Sequence, residues 1–126
     1  MVMPAAPGVE TALANGRKTG SVNLANRGLE DFPLDLCNFN ELAYGEQWWE
    51  LVNIQKLDMT YNYLRYIPKE LASQETLVML RIAHNKLESI PDEIFGLPEL
   101  KLFDASYNFL TTINFSRCNS LVDVNL

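Results

Sequence analysis

The sequence predicts an α/β solenoid, in which one short strand per turn stacks into a parallel concave sheet and the return segments run extended or as 3₁₀ turns along the convex side. Two observations predict it. A 15-residue pattern recurs in phase, and its copies carry Asn or Pro at fixed places that amphipathic helices do not tolerate. The aligned copies are VNLANRGLEDFPLDL (22–36), LDMTYNYLRYIPKEL (57–71), LRIAHNKLESIPDEI (80–94) and FDASYNFLTTINFSR (103–117). Counting Val22, Leu57, Leu80 and Phe103 as position 0, positions 0, 2, 7 and 10 are apolar in all four. Position 5 is Asn in three copies, and position 11 is Pro in three. The starts lie 57−22 = 35, 80−57 = 23 and 103−80 = 23 residues apart, and a further partial copy opens at Val124, 124−103 = 21 on.

This is the pattern L-x-x-L-x-L-x-x-N-x-L of leucine-rich repeats, in about four and a half copies over residues 9–126. Four amphipathic helices would give a similar count of apolar residues, but a proline at a fixed interior place would break three of them. Positions 0 and 2 point the same way on a strand, so they supply the core. Asn62, Asn85 and Asn108 fall where the chain turns inward, and their amides are expected to form a structural ladder with backbone groups of neighbouring turns. Leu64, Leu87 and Leu110 fill the core beside them. Ile67–Pro68 and Ile90–Pro91 then return the chain. The first copy departs, with Arg27 in place of Asn, so its turn is expected at an edge where solvent reaches the guanidinium. The fourth has Asn114 instead of Pro, which loosens its return segment.

Residues 1–8 read as a disordered tail. VETALANGRK (9–18) predicts a short helix, with Gly16 an interruption, whose Val9, Ala12 and Leu13 cover the open end of the core. A helix free for function is the alternative. The first spacing exceeds 23 by 12, and the excess lies in an insertion at 38–54 that holds Tyr44, Trp48 and Trp49. Two adjacent tryptophans suit a partner hot spot, or packing on the convex flank that anchors a short helix at 45–52; the second reading is preferred. The chain stops at Leu126, inside a strand. The last apolar face is therefore expected to be open, to self-association or to further repeats, as in the N-terminal part of a longer array.

With 126 residues, 48% hydrophobic and 21% charged, the chain reads as one globular domain. A net charge of −6 argues against a nucleic-acid partner, which needs a clustered basic face. No apolar run approaches a membrane span, and the opening MVMPAAPGVE lacks the basic and apolar regions of a secretory signal, which leaves the cytoplasm or nucleus as the expected location. Cys37 and Cys118 share a register, 37−22 = 118−103 = 15, but lie three repeats apart, beyond the roughly 7 Å a disulfide spans. Reduced thiols are expected. His84 is the only histidine and no cysteine joins it, so neither a metal nor any other cofactor is indicated. No phosphate-cradling glycine motif is present. The chain reads as a non-enzymatic module that binds a protein.

Binding is expected on the concave face. Position 1 supplies Asn23, Asp58, Arg81, Asp104 and Asn125, which sets Arg81 between two acids in a surface charge ladder. Position 4 supplies Asn26, Tyr61, His84 and Tyr107, an aromatic row with polar tips of the kind that anchors interfaces. Asp58, Tyr61, Arg81, His84, Asp104 and Tyr107 are therefore the candidate contact residues. The alternatives are that the tyrosines only cover strand edges, and that the whole segment is the capping start of a longer repeat or signalling protein with no binding activity of its own.

GRKTG-SVNLANRGLEDFP (16–33), YGEQWWE (44–50) and IQKLDMTYNYL (54–64) together resemble the start of the leucine-rich repeat-containing protein 40 family. The Trp-Trp-Glu insertion is the specific part. The resemblance implies an intracellular interaction protein or scaffold and a much longer array.

Overall fold

The computed structural model describes residues 9–38, 52–111 and 123–125. Strands β1 (Ser21–Asn23), β2 (Lys56–Asp58), β3 (Met79–Arg81), β4 (Leu102–Asp104) and β5 (Asp123–Asn125) form one parallel sheet in chain order. The register aligns Val22, Leu57, Leu80, Phe103 and Val124 across it. Each strand lasts three residues, centred on position 0. Position 0 of the first four strands is buried, as are Leu24, Met59, Ile82 and Ala105 at position 2. Hydrogen bonds continue past the strands, from the Leu24, Met59 and Ile82 N–H groups to Asp58, Arg81 and Asp104 carbonyls, all at 2.7 Å.

The return segments leave the buried Leu29, Leu64 and Leu87 for a second buried set, Phe32, Ile67 and Ile90. Pro68 and Pro91 are extended, with ψ 141° and 136°. Turns Leu34–Asn38 and Lys69–Ser73 are 3₁₀, but the third is a single α-helical turn, α2 (Asp92–Phe95), rather than extended or 3₁₀. Asp92 and Glu93 at its start favour its dipole, and the Gly96 N–H closes it onto Glu93 and Ile94 carbonyls. Phe95 meets Phe103 edge-on with ring centroids 5.3 Å apart.

Helix α1 (Val9–Thr19) runs through Gly16 without a break, contrary to the expected interruption. One glycine weakens a helix by only about 1 kcal/mol relative to alanine, and Leu13, 2% exposed, anchors this one on the core with Ala12 beside it. The stop is Gly20. It takes φ +80° and donates its N–H to the Gly16 carbonyl at 2.7 Å, and a left-handed residue after the last turn is the common way a helix ends. The Gly20 carbonyl accepts from Gln55 and Lys56 N–H groups at 2.7 and 3.0 Å, and the Arg17 carbonyl from Val52 N–H at 2.8 Å. The far end of the insertion is thus tied to α1. Tyr44, Trp48, Trp49 and all but the last residue of the helix expected at 45–52 lie outside the described residues, as do residues 1–8, Asn114, Cys118 and Leu126. Among the described residues, no helix is long and apolar enough to cross a membrane.

Candidate binding face

The site starts with the backbone at the strand ends. Asn26, Tyr61, His84 and Tyr107 all take left-handed φ values, between 56° and 59°. Asparagine enters that region readily, whereas other L-residues pay about 1–2 kcal/mol. The conformation turns the chain so that position 5 goes inside. Inter-repeat bonds hold position 4 in line: Asn26, Tyr61 and His84 N–H groups donate to Thr60, Ala83 and Ser106 carbonyls at 2.9, 3.1 and 2.9 Å. The side chains therefore stack. His84 lies 4.2 Å from Tyr61 and 4.3 Å from Tyr107 between ring centroids, with interplanar angles of 11° and 10°. Tyr61 and Tyr107 remain 58% and 74% exposed, so the row faces solvent.

Beneath the row lies the asparagine ladder. Asn62 Nδ2 donates to Leu24 and Met59 carbonyls, both at 2.9 Å, while its Oδ1 accepts from Arg27 and Leu29 N–H groups at 3.1 and 3.0 Å. Asn85 Nδ2 donates to Met59 and Ile82 carbonyls at 3.1 and 2.9 Å, and its Oδ1 accepts from Leu64 N–H at 3.1 Å. Asn108 repeats the scheme on Ile82, Ala105 and Leu87. Asn62 and Asn85 are buried. The Nη2 end of Arg27 makes its bond at an exposed place, where solvent reaches the guanidinium as expected. The residue as a whole is half-buried; its main chain is held by Asn62, and its Nη2 reaches the Asn23 carbonyl at 3.4 Å.

The position 1 column is in register, with Arg81 paired to Asp58 on one side and Asp104 on the other. The expected charge ladder does not form as ion pairs. Asp58 Oδ1 instead accepts from Thr60 N–H at 3.0 Å and its hydroxyl at 2.6 Å, and Asp104 Oδ1 from Ser106 N–H at 3.1 Å and its hydroxyl at 2.7 Å. These local turns outcompete a solvated pair worth about 0–1 kcal/mol. Asn23 makes the same turn with Ala25 N–H at 3.0 Å. Arg81 is left exposed at the centre of the face, with half-buried Met79 and Leu102 beside it.

One further column escaped the sequence reading. Tyr63, Lys86 and Phe109, at position 6, stand outward two residues beyond the stack; Tyr63 and Phe109 are 53% and 63% exposed, and Lys86 Nζ lies 5.3 Å from the Tyr63 centroid. Position 6 lies between two inward positions, which is the signal that could have found it. Cys37, on the convex side, is a free thiol. Burial, with Glu70 adding to it, pushes this thiol up from 9.0 to about 11. No group of His, Cys, Asp and Glu among the described residues could hold a metal ion.

Comparison with known proteins adds the family. Residues 75–126 match the leucine rich repeat family. Leucine-rich repeat and calponin homology domain-containing protein 1 of Mus musculus is 27% identical over 125 residues, which cover 88% of this chain and 18% of that protein. Fibromodulin of Sus scrofa is 34% identical over 110 residues, covering 82% of this chain and 74% of that sequence. Fibromodulin of Bos taurus is also 34% identical, and the match covers 29% of it. The chain thus spans less than a third of two of these three relatives. A parallel sheet in repeat register, an asparagine ladder and these similarities lead to one conclusion: the chain belongs to the leucine-rich repeat family.

Proposed function

We propose that the chain binds another protein on its concave face, through Tyr61, His84 and Tyr107 together with Arg81, Asp58 and Asp104, and that it acts by binding rather than catalysis. The observation that carries this reading is the exposed ring stack. Three residues without asparagine's ease in the left-handed region occupy it side by side, at about 1–2 kcal/mol each, and two stacked pairs return only about 0.5–1.5 kcal/mol each. Local strain held at an exposed surface favours a role beyond folding. Tyrosines are also enriched at interface anchors. Residues 16–33, 44–50 and 54–64 further favour kinship with the leucine-rich repeat-containing protein 40 family, and with it a scaffold of the cytoplasm or nucleus.

The test replaces Tyr61 and Tyr107 by alanine. Affinity capture from cell extract with the wild-type chain should recover a partner that the double variant recovers at least about tenfold less well, with unchanged circular dichroism. Equal recovery of every partner by both chains removes the concave face from consideration.

A further inference from the structure

Resting on the concave-face reading, we infer that the partner is an α-helix lying along the solenoid axis and showing this face a basic–acidic–basic row. Three observations carry it.

The first is charge order. Position 1 of β2, β3 and β4 reads Asp58, Arg81, Asp104, in direct register. The two carboxylates are fixed by Thr60 and Ser106, while the side chain of the exposed Arg81 makes no hydrogen bond or ion pair with any described residue. A uniformly basic or uniformly acidic partner meets a like charge somewhere along this lane. An alternating one meets complements at all three places.

The second is spacing. Neighbouring strands are about 4.8 Å apart, so the outer charges are about 9.6 Å apart. On an α-helix the residues i, i+3 and i+7 share a face and rise about 4.5 and 10.5 Å from the first. Both steps match within about an ångström. An extended chain presents same-face residues every ~6.6 Å, so its second and third contacts miss by about 1.8 and 3.6 Å.

The third is the border of the lane. Half-buried Met79 and Leu102 flank it on one side, with exposed Lys56 ahead of them in the same column, and on the other side the Tyr61–His84–Tyr107 row stands past the Thr60, Ala83 and Ser106 column. The row measures 4.2 and 4.3 Å between rings, again near the three-residue rise of a helix. A helix with apolar residues on both sides of its charged row fills both borders.

The test uses the full chain and synthetic helical peptides, titrated at low salt. One peptide carries Lys-x-x-Glu-x-x-x-Lys with leucines flanking the row, the second has its three charges reversed, and the third repeats the first with a central proline. The first should bind about tenfold more tightly than either other. Asp58→Asn combined with Asp104→Asn should shrink the preference for the first over the reversed peptide to what the Arg81–Glu contact alone gives. The local turns survive that change, since Asn23 already makes one. Arg81→Glu, at a side chain with no partner to lose, should transfer preference to a peptide with lysine at all three places. Equal binding of the proline peptide, indifference to charge order, failure of every peptide to bind, or an Arg81-dependent dimer of the chain itself overturns the inference. The Tyr61 and Tyr107 capture experiment reads the concave face independently, so the face can stand while the helical partner falls.

Discussion

Asn62→Ala is predicted to be the most damaging single change in the asparagine ladder. Its Oδ1 serves two backbone donors, Arg27 N–H and Leu29 N–H, whereas Oδ1 of Asn85 and of Asn108 each serves one. The Met59 carbonyl keeps a donor after the change, because Asn85 Nδ2 also reaches it at 3.1 Å. The buried Leu24 carbonyl loses its bond from Asn62, so the change strips one acceptor as well as the two N–H groups. An unsatisfied buried donor costs about 1–3 kcal/mol; the Leu29 bond is buried, and the Arg27 bond is part-buried, where water substitutes. Together they suggest a loss of about 3 kcal/mol for Asn62→Ala and about 1 kcal/mol for Asn108→Ala, whose one accepted bond is part-buried. At this size the larger value lowers the melting temperature by roughly 10 °C. Denaturant melts give the order. Amide exchange at Leu29 gives the location, because solenoids need not unfold in a single step. If Asn62→Ala is no worse than Asn108→Ala, or Leu29 exchange is unchanged, the reasoning is wrong.

Gly20→Ala should destabilise by about 1–3 kcal/mol, since φ is +80° and the added Cβ meets the Asn53 carbonyl oxygen at 3.2 Å. Gly28→Ala, at φ +68° but in open space, should lose only the strain, about 1 kcal/mol; parallel melts of the two variants check the order. Cys37 should react with iodoacetamide at pH 8 about a hundredfold more slowly than an ordinary thiol, because burial, with Glu70 behind it, pushes it up to about 11. The raised value favours the protonated thiol in the fold, so its stabilisation is fully present below about 9 and lost as pH rises through about 11, a trend that Cys37→Ser should flatten.

The repeat, its register and the inward asparagines were legible because they follow from period and residue type alone. Val22, Leu57, Leu80 and Phe103 must share a face if each copy makes one strand, and Arg81 then falls between Asp58 and Asp104. The handling of that charge was not legible. Whether Asp58 turns to Arg81 or to Thr60 depends on a local turn geometry that column order does not contain. Position 4 showed its aromatic character, but the left-handed φ that brings the rings to 4.2 and 4.3 Å belongs to the turn rather than to tyrosine or histidine. Gly16 drew attention as the helix breaker because it sits inside the pattern. Gly20, where the chain actually reverses, sits at the seam between helix and strand.

The ladder also bears on how the array responds to force. The Met59 carbonyl is gripped by both Asn62 and Asn85, and the Ile82 carbonyl by both Asn85 and Asn108. Each carbonyl therefore rivets adjacent coils together. Peeling one coil away breaks bonds at a carbonyl that also anchors the next. A tethered molecule pulled from its ends should behave as a spring with a stiff seam along one side, yielding in multi-coil steps rather than coil by coil.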